Sequence, residues 1–177
     1  MAFMIDPNQD SGGGGGAPAT VTPGTKTLWI CGVDFGTARS GNKKIDVRLV
    51  CVDDGGDGSE VGGYVWDTFT LTQSAAWRLQ NCTRALGQAD QFDAEDQELM
   101  AEILTRQPLV VDLEEEEFND RKKVRPMRYH AHEGEIPEEW ENRVERAEEY
   151  HEAGKAKRMA SAGGGSGSFN GKDEIPF

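Results

Sequence analysis

The chain has 177 residues, enough for one domain of ordinary size plus tails, and a formal net charge of -13, which taken alone argues against a nucleic-acid binder, although the distribution of charge matters more than its sum. Apolar residues make up only 36%, a value that fits one core flanked by polar ends. No apolar run reaches the ~18 residues of a membrane span, and residues 1–25 lack the basic start and apolar stretch of a secretion signal, so the expectation is a cytoplasmic protein with no membrane partner. Cys31, Cys51 and Cys82 are odd in number and show no CxxC spacing, and they read as reduced, buried small hydrophobes.

Residues 1–25 contain Gly12–Gly16, Pro18 and Pro23 and too little apolar content to fold, so they are expected to form a flexible arm. From Lys26 the pattern changes. Thr27–Phe35 is rich in β-formers and reads as a strand, with Gly32 marking a bulge or bend. Ser40-Gly41-Asn42 closes the following loop. Over Lys43–Val52, Ile45, Val47, Leu49 and Cys51 alternate with Lys44, Asp46, Arg48 and Val50, the pattern of a half-buried antiparallel strand. The Gly/Asp loop Asp53–Ser59 lacks the spacing of a calcium-binding loop and reads as solvated. Gly63–Leu71 is a third strand, with Tyr64, Trp66, Thr68 and Thr70 on one side and Val65, Asp67, Phe69 and Leu71 on the other.

The period then becomes helical. Ser74–Leu86 carries Ala75, Leu79, Cys82 and Leu86 on one face and ends at Gly87. Asp93–Arg106 is a second short helix, with Asp93 as its expected cap and Pro108 as its stop. Leu109–Phe118 returns to strand character, Asn119-Asp120 is a turn, and Lys122–His132 is a fifth strand. Pro137 opens a long helix to about Met159, acidic at its start and basic at its end. Its stripe of Trp140, Val144, Ala147 and His151 has to dock on the body or on another subunit, so a homo-oligomer is one expectation. Residues 160–177 form a Gly/Ser linker and a tip.

Three strands, helices, then two strands is the element order of the OB-fold, a five-stranded barrel with helix between strands three and four. The expected fold class is therefore mainly β with helices. It comprises an OB-fold domain over 26–133, a C-terminal helix over 134–159 and disordered ends.

The tip, Asp173-Glu174-Ile175-Pro176-Phe177, places two acids before an apolar tripeptide on a linker of roughly 20 Å as a random coil. Pro176 biases Ile175 toward an extended shape, and Phe177 offers a ring and a carboxylate to an apolar pocket with a basic rim. This ending resembles the acidic tip of bacterial single-stranded DNA-binding proteins. That resemblance implies recruitment of replication, recombination and repair enzymes.

The body, from about Lys26 to Pro137, resembles a phage-encoded OB-fold family found in replication and recombination gene clusters. The matching stretches are Ser40-Gly41-Asn42 before a strand, Trp66-Asp67-Thr68-Phe69-Thr70-Leu71, Trp77-Arg78-Leu79 leading to Ala85-Leu86-Gly87, and Phe118-Asn119-Asp120-Arg121 into a basic strand. The opening motif of the bacterial group is absent, so tail and body resemble different groups and the likeness does not extend to a bacterial-type tetramer.

Single-stranded DNA binding needs cations for phosphates and aromatic faces for bases. Lys26–Asp53 carries five basic residues against three acids, and Asn119–His132 carries five against one. Arg39, Lys43, Lys44, Arg48, Arg121, Lys122, Lys123, Arg125 and Arg128 are the candidate phosphate contacts, and Tyr64, Trp66 and Tyr129 the candidate base stackers. Trp29 and Trp77 are expected in the core, and the acids Asp90–Glu102, Asp112–Glu117 and Glu133–Glu152 on other surfaces. His130-x-His132 lacks further ligands for a metal, and consecutive carboxylates in Glu114–Glu117 point to opposite strand faces. No phosphate-cradling glycine motif, nucleophile elbow or zinc motif is present, so no catalysis, cofactor or metal is expected. The alternatives are an adaptor or decoy that captures host enzymes through its tail without binding DNA, and an acidic DNA-mimicking inhibitor.

Overall fold

The structure is a computed structural model, and it describes residues 19–164. The Gly12–Gly16 run and the tip Asp173–Phe177 lie outside the described residues. Within them the elements are β1 (Gly24–Thr37), β2 (Lys43–Asp53), β3 (Tyr64–Thr70), α1 (Ala76–Ala85), α2 (Gln97–Leu104), β4 (Leu109–Phe118), β5 (Arg121–Ala131) and α3 (Glu138–Gly164). All strands join one antiparallel sheet in the order β3-β2-β1-β4-β5. The mainly-β class and the placement of the helices agree with the sequence reading. The expected barrel does not close through a ladder: among the described residues the sheet is open, with β3 and β5 as its edges.

The apolar pattern of the strands decides what covers the sheet. Leu28 and Ile30 of β1, Ile45, Val47 and Leu49 of β2, Val65 and Phe69 of β3 and Leu109 and Val111 of β4 point to one face. There they meet Leu79, Cys82 and Leu86 from α1 and its C-terminal end, and Met100, Ile103 and Leu104 of α2. The opposite face carries a second core in which Trp29, Cys31, Val50 and Val52 pack against Trp140, Val144 and Ala147 of α3. The centre of β1 and the end of β2 are therefore buried on both sides. This corrects the half-buried reading of β2: Val50 and Val52 occupy the phase that solvent-facing residues would take, because α3 lies over them. The helix docks on its own sheet, and it runs past the expected end at Met159 to Gly164.

Local chemistry sets the remaining boundaries. Cys31 is an extra residue in the β1–β2 register, between the pairs Ile30↔Leu49 and Gly32↔Arg48, so the bulge falls beside the expected glycine. A Cβ on Gly32 would sit 3.0 Å from the His151 ring, so α3 rests on bare backbone there. Asp96, not Asp93, caps α2, accepting from the Leu99 amide at 3.1 Å, while Asp93 accepts from the Glu95 amide in the preceding turn. Asn119 and Asp120 both adopt positive φ, 52° and 62°, the two-residue turn that matches the twist of the β4–β5 hairpin.

In the β2–β3 loop the Asp54 carboxylate accepts from the amides of Gly56, Gly58 and Glu60, and these bonds hold it below the usual carboxylate range. The folded body begins earlier than Lys26. Val21 is buried in the core, Thr22 donates to Glu60, and Lys26 is itself buried against Thr22 and Glu60.

The open edges are joined by side chains. Asp67 of β3 is buried, and its Oδ2 accepts from Arg78 Nη2 of α1 at 2.7 Å and from the Tyr129 hydroxyl of β5 at 2.6 Å. Arg78 also donates to the Thr68 and Pro126 carbonyls, and Asn81 exchanges two hydrogen bonds with the backbone of Tyr129. Burial works against the Arg78 charge, but the hydrogen bond and charge of Asp67 outweigh it and its pKa is raised. Burial, with the Asp67 charge beside it, pushes the Tyr129 hydroxyl well above its ordinary value. Replacing Asp67 by Ala would leave Arg78 and Tyr129 without their acceptor, and the expected loss is about 3–5 kcal/mol. Tyr129→Phe removes one donor and should cost less, about 1–2 kcal/mol. Urea unfolding of both variants checks this, and equal midpoints for Asp67→Ala and the parent would refute it.

Candidate nucleic-acid interface

The candidate residues sit on the outer face of β2 and β3, where α3 leaves part of the sheet uncovered. Cross-strand pairing places Lys44 beside Thr70, Asp46 beside Thr68 and Arg48 beside Trp66. Trp66 is 55% exposed, too open for a core residue of its size. Its neighbour Tyr64 is half-buried, with ring centroids 6.2 Å apart. The Arg48 guanidinium carbon lies 3.9 Å from the Tyr64 ring centroid, 5.7 Å from that of Trp66 and 5.0 Å from that of Tyr150 on α3. Tyr150 is parallel to Tyr64 at 6.1 Å, so one cation holds three aromatic rings from two strands and a helix. Arg48 Nη1 also lies 3.4 Å from His151 Nδ1.

On the far side of Trp66, the open edge between β3 and β5 forms a cleft of about 190 Å³ lined by Trp66, Asp67, Thr68, Glu116, Lys123 and Arg125. A row thus crosses the outer surface: Arg48 on β2, Trp66 on β3, then Lys123 and Arg125 on β5. An aromatic face between cations is the local chemistry that a base and its flanking phosphates require.

The other candidates are dispersed. Arg39 is exposed in the β1–β2 loop, Lys43 is ion-paired with Glu95 from the segment before α2, and Lys44 is paired with Asp46 at 2.9 Å. Arg121 and Lys122 stand at the hairpin tip, and Arg128 faces Asp112 across the ladder. Tyr129 does not belong to the surface. It is 3% exposed, with its ring against Phe69 and its hydroxyl on Asp67, so it cannot stack on a base. Trp77, expected in the core, is 58% exposed, because α1 buries the face of Leu79 and Cys82 instead.

Charge is less segregated than the sequence implies. The β4–β5 register sets Glu114 opposite Arg125, Glu116 opposite Lys123 and Glu117 opposite Lys122, and ion pairs link Arg125 to Glu116 at 3.4 Å and Lys122 to Glu115 at 4.0 Å. Across Leu109–Ala131 six carboxylates face five Lys and Arg side chains, so the hairpin as a whole is not cationic. Of the acids expected on other surfaces, those of Asp112–Glu117 share this one. The two strand histidines are engaged separately. His130 Nε2 lies 2.8 Å from Asp112 Oδ2, and His132 packs edge-on against Trp140. The bonds from His130 and Thr25 hold the Asp112 carboxyl below its usual range. No protein-family model and no curated protein matches this sequence.

Sequence reasoning missed the α3 contribution, because Tyr150 lies beside the apolar stripe and not in it. The signal available was its spacing, three residues after Ala147, which returns it to the docking side of the helix. Arg48→Ala should loosen the distal half of α3 by about 1–2 kcal/mol, the sum of its cation–π contacts. Hydrogen exchange of residues 148–158 would then be faster in the variant while the amides of β1 keep their protection; uniform exchange in both would refute the anchoring role.

Proposed function

We propose that this chain is a sequence-independent single-stranded DNA-binding protein of the phage replication and recombination type. It would act in the cytoplasm, coat exposed strands, and recruit partner enzymes through the tip Asp173–Phe177. The observation that carries this reading is Trp66, a large ring left half exposed between Arg48 and the Lys123–Arg125 pair. Every base offers a π surface and every phosphate a charge, so such a row binds without reading sequence. The strand order, with two helices between β3 and β4 and side-chain links across the open edge, supports an OB-type sheet as the scaffold. The net charge of -13 then serves solubility and keeps DNA off the remaining surface.

The glutamates opposite the basic strand favour a second reading, in which the body binds no DNA and the protein is an adaptor presenting its tail. Titration of fluorescent oligo-dT at two salt concentrations, with duplex DNA alongside, separates the two. Salt-sensitive binding to the single strand with weak duplex binding is expected; no binding at low salt would leave the adaptor. Trp66→Ala should weaken oligo-dT binding by about 1–3 kcal/mol, roughly 5- to 150-fold. An unchanged affinity would remove Trp66 from the interface.

A further inference from the structure

The surface row described above is open on one side and walled on the other. Between α3 and the outer face of β1–β3 runs a groove of about 500 Å³, lined by Trp66 and Arg48 on the sheet and by Tyr150, Gly154, Lys157 and Arg158 on the helix. Its two acids are matched in place. Asp34 lies 3.2 Å from His151 Nε2 and 3.5 Å from Lys155 Nζ, and Asp46 pairs with Lys44 and accepts from the Thr68 hydroxyl at 2.6 Å. Lys157 and Arg158 are exposed and have no carboxylate within ion-pair distance among the described residues. The groove therefore keeps a positive balance although the chain is acidic.

The helix side of the groove has an order suited to a strand. Tyr150, Gly154 and Lys157 recur at the four- and three-residue spacing of one helix face. Tyr150 is 57% exposed and so keeps ring surface open to solvent. Gly154 presents no bulk, and Lys157 and Arg158 follow about 10 Å along the axis from Tyr150. An aromatic ring, a gap, then paired cations repeats, on the opposite wall, the arrangement of Trp66 with its neighbouring cations.

We infer that single-stranded DNA runs in this groove, with bases meeting Trp66 on the sheet and Tyr150 on α3 and phosphates meeting Lys157 and Arg158. The inference rests on the single-strand reading above and adds a second wall to it. Helix α3 is then part of the binding surface as well as a cover for the second core.

The test uses the full chain carrying Lys157→Glu and Arg158→Glu together, with Tyr150→Ala and Trp66→Ala as separate variants and labelled oligo-dT as the probe. Reversing both exposed cations should weaken binding by at least about tenfold and reduce the slope of log K against log salt by about 1.4, from about 0.7 per phosphate contact. Tyr150→Ala should weaken binding roughly 5-fold or more. Photo-crosslinking of iodo-deoxyuridine oligonucleotides to the unaltered protein gives an independent readout, with adducts expected on Trp66 and Tyr150. Parent-like binding of the Lys157/Arg158 and Tyr150 variants while Trp66→Ala is impaired, or adducts confined to the β4–β5 hairpin, would overturn the helix wall and leave the single-strand reading standing. Failure of the unaltered protein to bind oligo-dT would overturn both.

Discussion

A carboxylate buried at Asp67 has to be answered by donors, and here they come from different elements of the fold. Arg78 reaches it from α1 and Tyr129 from β5. A buried pair of this kind adds little to stability compared with an apolar substitute, yet losing one member leaves the other's charge buried without its counter-charge. Its structural effect is positional. It holds the edge strand β3 toward the edge strand β5 without a ladder between them, and it ties α1 across the gap. The cleft beside Trp66 exists because these edges are held near each other and not zipped together. Backbone pairing there would have closed the place where Lys123 and Arg125 approach the indole.

The elements were legible because their signals are local. Alternation gave the strands, Asn119-Asp120 the hairpin turn and Gly32 the neighbourhood of the bulge. The sheet order was legible only as an element list, since pairing partners are distant in sequence. What escaped was tertiary. Val50 and Val52 look like solvent-side residues until α3 is laid on them. Tyr129 looks like a stacking residue until Asp67 takes its hydroxyl. Trp66-Asp67 and Trp77-Arg78 are adjacent pairs in the sequence. In each, the tryptophan faces solvent and its charged neighbour turns inward, an inversion of the hydropathy expectation that only the ion pair explains.

Charge distribution shows the same limit. Counting along the chain isolates a basic strand, whereas a sheet sets each strand against its neighbours. The ladder between β4 and β5 interleaves Glu114–Glu117 with Arg121–Arg125, and exposed pairs of this sort are individually weak. They still lower the local field that a polyanion would meet. Lys157 and Arg158 of α3, in a stretch that sequence reasoning assigned to the helix dipole, have no ion-pair partner among the described residues, and neither do Arg39, Arg121 and Lys123. A binding surface in this protein is better located by which charges the fold leaves unmatched than by where charges are dense.

The extra residue at Cys31 has a consequence for how the chain tolerates change in length. Cys31 and Gly32 both turn toward α3, and beyond them Val33 and Phe35 return to the main core while Asp34 faces His151 and Lys155. A strand is a two-state counter, and the bulge advances the count by one. Deleting Cys31 would make Ile30 and Gly32 consecutive opposite Leu49 and Arg48, so the ladder would run on without the bulge and Val33 and Phe35 would still face the core, whereas deleting a residue from a regular stretch of β1 would exchange the faces beyond it. The bulge is thus the place where β1 can lose one residue and keep its two faces, while the regular stretches on either side tolerate exchanges of residue type but not a change of one in length.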